Sequence, residues 1–267
     1  MFFNCIELEY LPNLSNFRVS ELISIAGMFC GCVKLNTING INRWNIKNVF
    51  DMYYAFFACE RLKYINLSGW NNEQENVLPV CMYAMFGNCK ALKKIDISGI
   101  TIVKDSNVNL LFYGCTSLIS VKLGSITIPY QTETLNNIYV PINIVIDDNI
   151  GNCFKMPEIG ISGKHYYREN NDNRFILSGL AYMFQGCLKL ENILVKNFKF
   201  NPEIKNYCLK YMFAGCKRLS NLGGLENLKE IKLSNSRYLK GIFEENGSFN
   251  AVEKECDERI YYSIGKR

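Results

Sequence analysis

The chain has 267 residues, 48% of them apolar, 21% charged, and a formal net charge of +5. That is ample apolar material for a core, and the charges are mixed along the sequence. The mild positive balance therefore does not by itself point to nucleic acid or an anionic membrane. No stretch approaches the ~20 apolar residues of a membrane-spanning helix.

The length would allow one or two ordinary domains, but an internal phrase overrides that prior. It reads Met-Phe-x-Gly-Cys-x-x-Leu-x-x-Ile and is written most clearly at Met28–Ile38. It returns around Cys89, Cys187 and Cys216, with looser copies at Cys5, Cys59, Cys115 and Cys153. With each motif cysteine as position zero, apolar residues stand at −3, −4 and −7 (Phe29, Met28 and Ile25; Phe86, Met85 and Met82). That spacing predicts a short amphipathic helix leading into the cysteine. After the cysteine, +3, +6 and often +8 are apolar, whereas +5 and +7 are mostly polar, which predicts a strand with one buried face. The Gly or Asn at −1 (Gly31, Asn88, Gly114, Asn152, Gly186, Gly215) suits a left-handed helix end. One such unit cannot bury its own apolar face, but stacked neighbours can.

In chain order, coils are expected to start near 1, 28, 55, 85, 111, 149, 183 and 212, followed by a degenerate, polar C-terminal cap over 242–267. Met1 falls on the methionine position of the phrase, so the chain opens in mid-repeat and reads as a piece of something longer. The opening residues have no basic segment or apolar run of a signal peptide. Asn48 and Asn76 are candidate helix caps. Trp44 and Trp70 follow the strands and either plug gaps between coils or offer an aromatic contact. Insertions are expected at 124–148 and 162–176, the first carrying an extra strand from Ile142 to Ile146. Such insertions read equally as binding elements or as tolerated surface loops.

Of the twelve cysteines, eight belong to the phrase, and their repetition explains them as small, buried, free thiols without disulfides. Cys30-Gly31-Cys32 lacks a partner pair at zinc spacing, so no metal is expected. His165, the single histidine, has no second base that would make a triad, and Asp147 and Asp148 point to opposite faces of a strand. No cofactor and no enzymatic activity is expected. Asn13, Asn66 and Asn246 head glycosylation sequons that read as chance in an Asn-rich chain.

The run from Asn48 through Cys59 to Asn66-Leu67-Ser68-Gly69-Trp70, with Lys94–Gly99, resembles the BspA-like leucine-rich-repeat family. The resemblance covers most of the chain. It implies an α/β leucine-rich-repeat solenoid, with a parallel sheet on one face and short helices on the other, formed as a single domain over 1–267. It also implies a surface protein, displayed on the cell or outside it, that contacts host or matrix proteins. The alternative is a cytoplasmic repeat scaffold or effector, which the absent signal peptide and unpaired cysteines suggest.

The expected contact surface is the row of +5 and +7 side chains: Tyr10, Thr37, Asn39, Tyr64, Asn66, Lys94, Asp96, Ser120, Lys122, Asn192 and Asn221. Its partner is expected to be a protein, with no nucleic acid and no direct membrane insertion. The chain itself is expected to be monomeric or part of a longer repeat array.

Overall fold

Position −3 of the phrase builds the centre of the molecule. A phenylalanine repeated at constant register brings its ring over the ring of the next repeat when the repeats stack in parallel. A computed structural model of the chain describes residues 1–72, 80–103, 106–128, 180, 182–200, 212–224, 249–256 and 259–266. In it Phe2, Phe29, Phe56, Phe86, Phe112, Phe184 and Phe213 form one column. Successive ring centroids lie 5.2–5.6 Å apart and the planes are within 13° of parallel. Around this column the +3 leucines, the +6 apolar residues and the motif cysteines from Cys32 onward form a continuous buried core.

The limb before the cysteine is not helical, which corrects the expectation of short helices. Among the described residues the only helical pieces are two 3-10 turns, Leu14–Asn16 and Ile41–Arg43. Positions −7, −4 and −3 are buried as the spacing predicted, but the backbone between them alternates in hand. Positions −5 and −1 both have positive φ: Gly27 and Gly31, Tyr54 and Ala58, Ala84 and Asn88, Leu110 and Gly114, Tyr182 and Gly186. A left-handed residue at every fourth position breaks a helix, and for a non-glycine it costs about 1–2 kcal/mol. The alternation turns N–H groups outward to the next repeat. Ile25, Gly27, Phe29 and Gly31 donate to the carbonyls of Asp51, Tyr53, Ala55 and Phe57 at 2.8–2.9 Å. Met52, Tyr54, Phe56 and Ala58 repeat the pattern onto Cys81, Tyr83, Met85 and Gly87. Asn48, expected as a helix cap, instead donates its side-chain N–H to the Ser20 carbonyl one repeat back; Asn76 lies outside the described residues.

The limb after the cysteine is strand, as the alternation predicted, from the repeat of Cys89 onward, whereas the described limbs after Cys5, Cys32 and Cys59 form no strand. Strands β1 (Lys94–Ile97), β2 (Ser120–Ile128), β3 (Asn192–Phe200) and β4 (Asn221–Gly223) form a parallel sheet in the order β1-β2-β3-β4. Ile95, Val121, Ile193 and Leu222 share one register, as do Lys94, Ser120, Asn192 and Asn221. β2 runs on to Ile128, so the first residues of the insertion expected at 124–148 are strand, paired as far as Ile128↔Phe200.

Direct pairing of β2 with β3 has a second consequence. Phe112 stacks on Phe184, and the Phe112 N–H donates to the Met183 carbonyl at 2.8 Å. The repeat of Cys115 thus abuts that of Cys187 directly, although the coil expected to start near 149 separates them in sequence. That coil, the Ile142–Ile146 strand, His165, Asp147, Asp148 and the 162–176 insertion lie outside the described residues. Near the C-terminus β5 (Phe249–Cys256) and β6 (Arg259–Lys266) pair antiparallel, within the stretch expected as a degenerate, polar cap.

Trp44 and Trp70 are buried and stack on each other. Their indole N–H groups donate to the carbonyls of Leu14 at 3.0 Å and Ile41 at 2.8 Å. They plug the space between coils and offer no exposed contact.

The motif cysteines form a ladder of their own. The thiols of Cys32, Cys59, Cys89, Cys115, Cys187 and Cys216 donate to the carbonyls of Phe2, Phe29, Phe56, Phe86, Phe112 and Phe184 at 2.9–3.1 Å. Burial pushes the Cys115 and Cys216 thiols from an ordinary value of 9.0 up to about 12, and it drives Cys59, Cys89 and Cys187 well above that ordinary value. Cys5, Cys30, Cys32, Cys59, Cys81, Cys89, Cys115, Cys187 and Cys216 are free thiols.

Two outcomes follow from the ladder. Phe86→Ala removes a fully buried ring from mid-column and is expected to cost about 3–5 kcal/mol in urea unfolding, against a near-neutral change for Lys90→Ala on the exposed rim. In addition, the unfolded chain releases its thiol protons near pH 9, whereas the folded chain holds them toward pH 12. Stability is therefore complete below pH 9 and falls as pH rises from there toward 12. Denaturation midpoints measured between pH 8 and 11 should drop, and a variant with Cys89→Ala and Cys115→Ala should show a shallower drop from a lower starting point.

Candidate functional site

On the exposed side of the strand limb, the +5 positions run from coil to coil as Tyr10, Thr37, Tyr64, Lys94, Ser120, Asn192 and Asn221. The +7 positions run alongside as Asn39, Asn66, Asp96, Lys122 and Leu194. Register places Lys94 beside Ser120, Ser120 beside Asn192, and Asn192 beside Asn221, and it places Asp96 beside Lys122. Tyr10, Thr37, Asn39, Tyr64, Asn66, Lys94, Lys122, Asn192 and Asn221 are exposed, and Asp96 and Ser120 are half-buried. Register thus sets Lys94, Ser120, Asn192 and Asn221 side by side in one row and Asp96 and Lys122 in another, whereas Tyr10, Thr37, Asn39, Tyr64 and Asn66 precede β1 and are exposed outside any strand.

Two of them have a local duty as well. The Asn66 carbonyl oxygen accepts from the Ser68 N–H at 3.0 Å. Asp96 Oδ1 accepts from the Ser98 N–H at 3.1 Å and from its hydroxyl at 2.6 Å. Each caps the turn that follows its strand. The Asp96 carboxyl is held below the usual range. Its partial burial acts the other way, but it is outweighed by the two Ser98 hydrogen bonds and by Lys122, whose ammonium lies 3.2 Å away.

Sequence reasoning named Tyr10 and Tyr64 but missed two kinds of surface residue, Leu194 and the charged rim. Leu194 occupies a +7 position that is polar in the neighbouring coils, and it is 54% exposed beside Lys122. Tyr10 and Tyr64, at 69% and 56% exposed, are the other large apolar side chains of the two rows. The rim formed by positions +1, +2 and +4 was not considered, yet it is where charge concentrates. Cross-coil ion pairs join Glu7 to Lys34 at 2.6 Å, Glu60 to Lys90 at 2.8 Å and Glu191 to Arg218 at 3.7 Å. The signal was present as a recurrent Lys or Arg within four residues after the cysteine.

A second polar cluster sits on the turn limb. The Ser24 hydroxyl donates to the buried Asp51 carboxylate at 2.9 Å, and the Tyr54 ring meets that of Tyr83 edge-to-face at 5.5 Å. Tyr53 and Tyr54 are buried, and their rings meet edge-to-face at 5.6 Å. Burial pushes the Tyr83 hydroxyl up to about 12, so these groups stay protonated and act as packing elements with hydrogen-bonding tips.

Residues 1–124 match a family model described as DUF285, Mycoplasma protein of unknown function. The chain is similar to that family over these residues, which span the phrases around Cys5, Cys32, Cys59, Cys89 and Cys115. No curated protein and no solved structure matches. Among the described residues no helix is long and apolar enough to cross a membrane.

The Asp96–Lys122 pair is exposed, so its coupling is expected to be small. A double-mutant cycle with Asp96→Asn and Lys122→Gln should return about 1 kcal/mol or less. Asp96→Asn keeps an oxygen that can cap Ser98, as Asn66 caps Ser68, so the larger loss is expected of Asp96→Ala, and it should persist in the Lys122→Gln background.

Proposed function

We propose that this chain is a BspA-like leucine-rich-repeat solenoid running over its whole length, and that it acts as a non-catalytic protein-binding module of a surface-exposed adhesin. The observation that supports this reading is the pair of in-register rows on the strand limb. They present a continuous polar surface, broken by exposed Tyr10, Tyr64 and Leu194, on a rigidly stacked base. Rigid aromatic side chains with charged neighbours are the composition of a protein-contact surface. Its width, several strands spaced about 4.8 Å apart, suits an extended partner segment. The C-terminal segment from 242 closes the array in this reading.

The second reading is an intracellular scaffold or effector. It is favoured by the thiol ladder, whose hydrogen bonds require reduced cysteines throughout.

Protease shaving of intact cells of the source organism, with mass spectrometry of the released peptides, separates the two. Release of this chain's peptides from living cells supports display, whereas release only after lysis supports the second reading. For the contact surface, a photo-crosslinking residue replacing Tyr64 should capture a protein partner, and one replacing Tyr113 on the turn limb should not. Adding Lys94→Glu should weaken capture from position 64 by about 1 kcal/mol or more in apparent affinity. Capture from both positions alike, or indifference to Lys94→Glu, would show that the binding surface lies elsewhere.

A further inference from the structure

The rim beside the two rows treats charge in two different ways. In four places a cation faces an anion of the adjacent coil: Lys34 with Glu7, Lys90 with Glu60, Lys122 with Asp96, and Arg218 with Glu191. Between the Glu60–Lys90 pair and the Asp96–Lys122 pair four cations depart from this pattern. Arg61, Lys63, Lys93 and Lys94 are all exposed, and none forms an ion pair with a described residue. Lys63 and Lys93 occupy the same +4 position of adjacent coils, joined by the Lys93 N–H donating to the Lys63 carbonyl at 3.3 Å. Coils one strand spacing apart, about 4.8 Å, put like charges side by side, an arrangement that destabilises a sheet pair. Among the described residues no ion pair offsets it. Tyr64, 56% exposed, lies next in sequence to Lys63 and one coil from Lys94 in the +5 row. The patch is therefore an exposed aromatic side chain with four exposed cations on its own and the adjacent coil, none of them in an ion pair with a described residue.

We propose that this patch is the specificity-determining part of the contact surface, and that it receives an acidic protein segment carrying an apolar residue between carboxylates. This rests on the reading of the strand limb as a protein-contact surface and names the chemistry of its partner. The patch is local, which decides between polyanions. Glu60 and Asp96 border it, and Glu7, Glu9 and Glu191 lie on the rim beyond, so a long phosphate backbone laid along the rim would meet carboxylates at each end. Sequence-independent nucleic-acid binding needs an extended positive track. A short acidic segment meets only the four cations, while its apolar residue covers Tyr64. Charge complementarity of this kind sets orientation and association rate as well as affinity.

The test uses the full chain and fluorescence anisotropy. The probe is a short labelled peptide of glutamates around one phenylalanine. Its controls are the same peptide with glutamines, a thymidine oligonucleotide of matching charge, and phosphatidylserine vesicles. The glutamate peptide should bind the wild-type chain, with affinity falling as salt rises. The double variant Lys63→Glu, Lys93→Glu should weaken it about tenfold or more, and Lys63→Gln, Lys93→Gln should do so to an intermediate degree. Urea unfolding of both variants checks that the stack is intact; relief of like-charge repulsion should leave the neutral variant at least as stable as the wild type.

Equal binding of the glutamine peptide, or undiminished binding by the charge-reversed variant, would overturn the proposal. So would tighter binding of the oligonucleotide or the vesicles with the same mutational sensitivity, which would reassign the patch to a polyanion or a membrane surface. The photo-crosslinking experiment at position 64 separates two kinds of failure. If capture there survives charge reversal at Lys63 and Lys93, the contact surface stands and the acidic partner falls. If position 64 captures nothing and the peptide does not bind, both fall.

Discussion

From Phe2 to Phe184, each phenylalanine carbonyl at position −3 accepts two donors, and the register of the stack depends on this. The Phe56 carbonyl takes the N–H of Cys59 in its own coil and the thiol of Cys89 in the next. The Phe86 carbonyl does the same with Cys89 and Cys115. A carbonyl oxygen has two lone pairs, and leaving a buried one poorly satisfied costs free energy. The ring of the same residue stacks on its counterpart in the next coil. One residue type therefore sets both the lateral position and the spacing of adjacent repeats, and a slip by one residue would forfeit both contacts together.

The turn limb follows from that constraint. To deliver an N–H to the next coil at −7, −5, −3 and −1, the backbone must alternate in hand, and it does so through positive φ at −5 and −1. Where the residue is glycine the alternation is easily reached, as at Gly27, Gly31 and Gly186. Where it is Tyr54, Ala84 or Leu110, the strain is held by the ladder on both sides. The bonding peptide units all point one way, carbonyl toward the N-terminal neighbour and N–H toward the C-terminal one. Each coil thus presents a template to the next, in the manner of a repeat array stabilised by its interfaces.

Because the column and the thiol ladder carry the packing, the outer side chains of the strand limb are released from structural duty. Only Asn66 and Asp96 are partly tied down, as turn caps. The remaining positions vary from coil to coil, from Tyr64 to Lys94 to Ser120 along one row. Variation on a rigid periodic base lets a surface acquire a partner without disturbing the fold, and the unbalanced cations at Arg61, Lys63, Lys93 and Lys94 mark where that variation is concentrated.

The sequence by itself determined the period, the buried positions and the strand limb, since apolar spacing reports directly which side chains leave water. It also determined that position −1 is left-handed, because Gly and Asn there tolerate that conformation. It could not distinguish a helix from a chain of alternating turns: both bury −7, −4 and −3, and the second left-handed residue at −5 is Tyr54, Ala84 or Leu110, which no propensity marks. Only the tertiary structure decided that the repeat of Cys115 pairs directly with that of Cys187, because sequence order does not say which coil occupies the next place in a stack. It likewise decided that Leu194 faces out and that Lys63 and Lys93 stand side by side. Neighbours across coils are about thirty residues apart in sequence, and their meeting is a property of the stack and not of any one repeat.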